Sequence, residues 1–314
     1  MANNENLYRQ MRRDFVGKYR NKIVPFVQKY ENKRKLKLLL AIIASGSLFV
    51  LGSLLLCFAF LHGGIAEKSN GGLLKLSTGL YVLSYFSWLW IKKDFENSIK
   101  EKIMPTVCSC FGNMKWSCNY YNDDGLFLSS CVVPNFTSKS YDDIFKGSYK
   151  DVKIEIAEAE YEIGSGKSRR IVFDGVIVKL NMNKNFISHT VINTNRFIKM
   201  SPSKNLHRTE LEDVEFNKKF NVFTNDEVDA RYLITTSFME RLKNMKTAFS
   251  ANSVSCAFYN HFLIIALHTN RDLFSIGSLI KPICDEQQFF TMFEEILSIV
   301  KLIDHFKLDQ KIGM

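Results

Sequence analysis

Two apolar stretches dominate the chain. Leu38 to Leu61 is a run of 24 residues without a charged side chain, and Leu73 to Ile91 is a second stretch interrupted only by Lys75. At about 1.5 Å per residue the first run makes a helix of roughly 36 Å, enough to cross a hydrocarbon core of about 30 Å with some tilt. The uncharged part of the second, Leu76 to Ile91, is shorter at 16 residues. Lys75 is placed to snorkel toward headgroups, while Trp88 and Trp90 suit the opposite interface. A polar connection, His62 to Gly72, joins the two. The pattern predicts a two-helix transmembrane hairpin over residues 36–91, with spans at about 38–61 and 73–91.

The flanking segments carry a different period. In the N-terminal arm, residues 1–35, Leu7, Met11, Phe15, Tyr19 and Ile23 recur every fourth position with Arg and Lys between them. This predicts an amphipathic helix, which either lies on anionic lipid or packs its stripe against the protein's own domain. A second stripe, Phe95, Ile99, Ile103 and Val107, predicts a juxtamembrane helix over 92–114. Both stripes end in related phrases, Lys22-Ile23-Val24-Pro25-Phe26-Val27 and Lys102-Ile103-Met104-Pro105-Thr106-Val107. Two such helices are expected to pair as a short stalk beneath the bilayer, broken or kinked near their prolines.

From residue 115 the pattern shortens to strand periods. Val152 to Ile156 alternates apolar and charged residues, and Ile171 to Leu180 is rich in β-branched ones. Gly164-Ser165-Gly166 sits between them as a hairpin turn. Further strands are expected at His189–Ile192, Lys219–Thr224, Ala230–Ile234, Ser253–Tyr259 and His261–His268, and helices at Thr236–Phe249 and Asp285–Phe306. Strands followed by helices predict an α+β domain over 115–314 with an antiparallel or mixed sheet.

Charge changes the picture once it is located. The 314-residue chain has a formal net charge of +10, but residues 1–37 hold 11 Lys or Arg against three acids, leaving 31 bases and 29 acids for the rest. The large domain is nearly neutral, which argues against nucleic acid as a partner. The basic residues flank the hairpin instead: Lys33, Arg34, Lys35 and Lys37 before the first span, Lys92 and Lys93 after the second. By the positive-inside rule both termini, and the large domain, are expected in the cytoplasm. The first stretch is too long for a cleaved signal peptide, and a second stretch follows it. Seven cysteines, an odd number without a regular framework, fit a reducing compartment.

Candidate chemistry is sparse. Gly164-Ser165-Gly166-Lys167-Ser168 lacks the leading glycine of a phosphate loop, since position 161 is Tyr, and is read as an exposed turn. Cys108, Cys110, Cys118 and Cys131 cluster, yet their spacing is not that of a structural zinc site, so no metal and no cofactor is expected. The six histidines are scattered, with no His-x-x-x-His or Glu-x-x-His pair, and no Gly-x-Ser-x-Gly elbow exists. The densest polar group is Asp226-Glu227-x-Asp229 with Arg231, placed where a strand pair should turn. It reads either as a docking surface or as a polar turn whose acids pair with Arg231 and nearby lysines.

Several phrases have a familiar order. Leu211-Glu212-Asp213-Val214-Glu215-Phe216 and Phe220-Asn221-Val222-Phe223-Thr224-Asn225-Asp226 precede Ala230-Arg231-Tyr232-Leu233-Ile234-Thr235 and Phe238-Met239-Glu240-Arg241-Leu242. With Phe173-Asp174-Gly175, Asn183-Lys184-Asn185-Phe186, Asp272-Leu273-Phe274 and Ile303-Asp304-His305-Phe306-Lys307-Leu308, they make the chain resemble a bacterial membrane protein family known as domain of unknown function 3137. The resemblance is strongest from about Gly147 to Ile312. It implies a bacterial inner-membrane protein and brings no activity, cofactor or catalytic residues. Members are sometimes encoded near a LemA-type membrane protein, which it offers as a partner beside the lipid bilayer. The family's typical Phe-Lys-Gly stands here as Phe173-Asp174-Gly175, so a role needing that lysine is not carried over.

The expected function is therefore that of a membrane-anchored, non-enzymatic module at the bacterial inner membrane that binds a protein or lipid partner. Its candidate surface is Asp226, Glu227, Asp229 and Arg231. The alternative is a membrane-tethered, hydrolase-like enzyme whose site gathers acids, His or Arg from separate strands.

Overall fold

A computed structural model describes residues 2–61, 71–118, 123–150, 152–182, 185–194, 205–283 and 286–306. Residues 62–70 of the expected loop between the apolar stretches, Cys284, and parts of the motifs around Asn183 and Lys307 lie outside the described residues. The chain divides into two compact units, one of Val16–Ile103 with Ile276–Gln288, the other of Met1–Phe15, Met104–Ser275 and Phe289–Met314.

Helix α1 (Ala2–Lys18) passes through one π turn, Tyr19–Ile23, into α2 (Val24–Leu61); α3 spans Gly71–Cys108. The π turn explains why Pro25 does not break the helix. Proline's ring clashes with the carbonyl four residues earlier, here Asn21, and the wider turn relieves that clash. Its mark is the Val24 N–H donating to the Tyr19 carbonyl. Pro105 likewise lies inside a continuous α3.

Helices α2 and α3 pack through small residues. A Cβ at Gly52 would come within 3.3 Å of the Ser77 carbonyl and the Tyr81 ring. The Ser84 hydroxyl donates to the Ser45 carbonyl at 2.7 Å, and the Ser53 and Tyr81 hydroxyls meet at 3.0 Å. Such close backbone approach and interhelical hydroxyl contact suit a low-dielectric surrounding. The outward faces carry exposed Ile42, Phe49, Leu54, Val82, Phe86 and Trp90. Among the described residues one helical stretch, Glu5–Leu61, is long and apolar enough to cross a membrane. Within the same unit, Val27, Phe95, Ile99 and Ile103 are buried, and Tyr30 meets Phe95 at 6.3 Å. Arg34 is buried. It forks onto Glu31 and donates to the Leu279 carbonyl at 2.8 Å, and this hydrogen bonding holds the Glu31 carboxyl below its ordinary range.

The other unit is built on a nine-stranded sheet in the order β1-β2-β3-β4-β9-β8-β5-β7-β6, every described pairing antiparallel. The strands are β1 (Lys115–Ser117), β2 (Ser138–Tyr149), β3 (Val152–Ile163), β4 (Arg170–Asn181), β5 (Thr190–Thr194), β6 (His207–Thr209), β7 (Phe220–Thr224), β8 (Ser253–Tyr259) and β9 (Phe262–His268). The helices are α4 (Asp124–Ser129), α5 (Val214–Lys219), α6 (Glu227–Leu233), α7 (Thr236–Ala248) and α8 (Glu286–Phe306).

Period-two alternation separates the sheet's two faces. Ala157, Ala159, Tyr161, Ile177, Ala257 and Ile264 share one face, closed by Phe127, Val132 and Val133. On the other, Phe258 of β8 takes the Phe238 ring of α7 at 5.3 Å. Gly175 is required by close approach: any Cβ there would collide with the Leu267 carbonyl oxygen of β9.

In the arm's apolar stripe Phe15, Tyr19 and Ile23 are buried, and Leu7 and Met11 half-buried. Phe15 is fully buried, stacked on Phe293 at 4.3 Å and edge-on to Phe290 at 5.2 Å. Arg12 forks onto Glu294 at 2.6 and 2.8 Å. Of the two readings of the arm, packing on the protein's own fold is the observed one for residues up to Phe15.

One element differs in kind from the expectation. In the segment Ala230–Ile234, read as a strand, Ala230 to Leu233 belong to α6 and Ile234 is its C-cap, and the acidic patch opens that helix instead of a hairpin turn. Asp226 is its N-cap, accepting from the N–H groups of Val228 and Asp229 at 2.9 and 3.1 Å. Acids in the first turn and Arg231 in the last complement the helix dipole, which outweighs the β propensity of Tyr232 and Ile234.

Candidate functional site

Helix α6 carries all four residues of the expected surface, but it divides them by role. Asp226 is spent on the cap. Asp229 Oδ2 accepts from the Ser188 N–H at 3.1 Å and hydroxyl at 2.5 Å, tying the strand entry of β5 to the helix. Glu227 and Arg231 are half-exposed, 4.0 Å apart, with His207 Nε2 3.6 Å from Glu227. Such open ion pairs contribute little to stability. Around them Val228 is 79% and Ile187 85% exposed, and Tyr232 is 53% exposed. Val228 and Tyr232 lie four apart on one helix face, beside Glu227 and Arg231. A half-buried Tyr and Arg among exposed aliphatics is the composition that interface centres favour. The sequence pointed to the acids. Val228 and Tyr232 join one patch with Glu227 and Arg231 only once the segment is helical.

A second group was invisible in sequence. Asp143 in β2, Glu158 in β3 and Asp272 after β9 bring one carboxylate oxygen each within 4.8 Å of one another. A bulge places Asp143, since the β2–β3 register slips between Tyr141 and Ile144. Asp143 accepts from the Trp116 indole at 2.5 Å, and Glu158 accepts from the Leu273 N–H at 2.9 Å. Oxygen donors of this kind suit a hard cation, while two of the three already bind donors of the fold. Nearby, burial first and the charge of Asp272 second push the Asp174 carboxyl up, against the pull of His268. Burial, then Glu162 and Asp174, raises Glu160.

The remaining candidates are engaged structurally. His268 Nδ1 accepts from the Asp174 N–H at 3.1 Å, and His189 Nε2 lies 3.0 Å from the Ser130 carbonyl; burial lowers the pKa of both rings. Cys108 and Cys110 are buried, Cys131 is half-buried and Cys118 exposed; among the described residues these thiols do not gather around one point. Burial pushes the Cys108 thiol up to about 12. Gly166–Ser168 is a single exposed 3-10 turn between β3 and β4.

The region that carries α5, α6 and the motifs around them matches a family model. Residues 171–308 match the family described as Protein of unknown function (DUF3137). This region is a DUF3137 domain. It holds β4 to β9 and α5 to α8, including the whole α6 patch, whereas α1 to α4 and β1 to β3 lie ahead of the matched residues. No curated protein sequence matches the chain. Among solved structures, the crystal structure of the mycobacterial trehalose monomycolate transport factor A, TtfA, is similar at 7% identity and a TM-score of 0.38, covering 64% of this chain and 92% of that one. A likeness at that level carries no argument about the DUF3137 domain.

Proposed function

We propose that the protein is a membrane-anchored, non-enzymatic interaction module. In this reading α2 and α3 cross the bacterial inner membrane as a hairpin, both termini are cytoplasmic, and the sheet domain presents α6 to a protein partner at the same membrane. One observation carries it: α2 and α3 together expose a belt of large apolar side chains, most of them more than half open, which water would not tolerate on a stable fold. The lysines just outside both stretches support the orientation, and Lys37 pairs with Asp94 at 2.7 Å where the belt ends. Anchoring raises the effective concentration of the domain toward membrane partners. The docking face is Glu227, Val228, Arg231 and Tyr232; Asp226 and Asp229 hold it in shape. A LemA-type membrane protein is one partner that the family resemblance offers.

The test is photocrosslinking in membranes with a photoreactive amino acid at Val228. A discrete adduct that disappears with Arg231→Glu is the expected result. No adduct, or one indifferent to Arg231, contradicts the docking face. The second reading, a hydrolase-like enzyme, rests on the carboxylates gathered from separate strands at Asp143, Glu158 and Asp272.

A further inference from the structure

A cleft of about 960 Å³ opens beside the C-terminal ends of α5 and α7. Its lining carries four lysines, Lys218, Lys219, Lys243 and Lys246, and no acid among the described residues. Two carboxylates that contact these helices' lysines are already committed. Asp213 caps α5 through the Phe216 N–H at 2.9 Å and lies 3.9 Å from Lys243, while Glu215 holds Lys218 at 2.7 Å on the open surface. Lys219 and Lys246 form no ion pair among the described residues. Lysines in last helical turns complement the helix dipole, and that role needs only one per helix end. Here two helix ends bring three, with Lys243 a turn earlier in α7, into one concavity that Ser250 and Asn252 also line. Four cations against two carboxylates leave a surplus of positive charge, and the concave shape gathers it. The volume is that of a small-ligand site.

We propose that this cleft binds a phosphate-bearing anion, with Lys219 and Lys246 as its principal contacts. The chemistry is shared by a soluble phosphorylated compound and by an anionic phospholipid headgroup. The test uses the full-length chain in uncharged detergent, titrated calorimetrically with sodium pyrophosphate in one arm. The other arm uses short-chain phosphatidylglycerol below its micelle concentration. Lys219→Gln/Lys246→Gln is compared with Lys167→Gln/Arg170→Gln, which removes equal charge from the exposed β3–β4 turn. Saturable binding in either arm, weakened at least tenfold by the cleft pair and under twofold by the control pair, supports the site, and the arm that binds identifies the source. Lys219→Arg/Lys246→Arg should restore binding. No binding in either arm, or equal weakening by both pairs, overturns the proposal.

Discussion

Phe15→Ala tests whether the N-terminal helix is a structural part of the sheet domain. The ring is fully buried, stacked at 4.3 Å and 13° on Phe293 and edge-on to Phe290 at 5.2 Å and 80°. Truncating a buried phenylalanine costs about 3–5 kcal/mol, of which aromatic pairing contributes roughly 0.5–1.5. That is a large share of the 5–15 kcal/mol typical of a domain. The neighbouring Arg12–Glu294 pair is about 40% exposed on both sides, so Arg12→Ala should cost only about 0.2–1 kcal/mol. Pulse proteolysis of the full-length chain in detergent and urea reads the folded fraction. With a urea dependence of about 2 kcal/mol/M, Phe15→Ala should lower the midpoint by about 1.5–2.5 M, while the exposed Arg13→Ala should leave it in place. An unchanged midpoint for Phe15→Ala, together with lost binding to anionic vesicles, would refute internal packing and restore the lipid-lying arm.

Three further outcomes follow from particular contacts. Gly175→Ala forces a Cβ into the Leu267 carbonyl and should separate β4 from β9, costing about 1–3 kcal/mol or more; unaltered hydrogen-exchange protection at Val176 and Leu267 would count against it. Burial pushes the Glu295 carboxyl up from 4.5 to about 7, against the pull of Arg271. The folded state therefore holds a proton that the unfolded chain releases, and its stabilising effect is full below pH 4.5 and lost as pH rises to about 7. Glu295→Gln should flatten that slope and add about 1–3 kcal/mol at pH 8, read as a urea midpoint against pH; a slope unchanged in the variant sinks the assignment. On α6, Asp226→Ala should cost about 0.5–2 kcal/mol through the lost cap, whereas Arg231→Ala should stay within about 0.5 kcal/mol; equal effects would undo the division of roles.

The parts of the fold that were legible in sequence are those where one local signal dominates. Ile171–Leu180 and Ser253–Tyr259 are dense in strand formers, and Gly164 marks the turn between β3 and β4 at a φ of +92°. β2 was not legible: Ser-Lys-Ser-Tyr-Asp-Asp breaks the alternation because a bulge sits inside it. α6 was misread because Ala230 to Ile234 looks like strand in isolation, while the cap at Asp226 and the charge order along the helix were the deciding signals. The carboxylate group could not be seen at all. Asp143, Glu158 and Asp272 meet only through sheet register, which no spacing along the chain encodes. Arg34 shows the same limit, since the sequence reads it only as one of the basic residues flanking the first span, while its partners, Glu31 and the Leu279 carbonyl, place it inside.

The central claim is that two apolar helices cross a membrane and return the chain to the side from which it started. Paired reporter fusions measure this directly, with alkaline phosphatase and a cytoplasm-dependent fluorescent protein placed in turn after Gly64 and after Met314. The account predicts phosphatase activity only for the Gly64 fusion and fluorescence for the Met314 fusion. Phosphatase activity at Met314, or fluorescence at both positions, would contradict it.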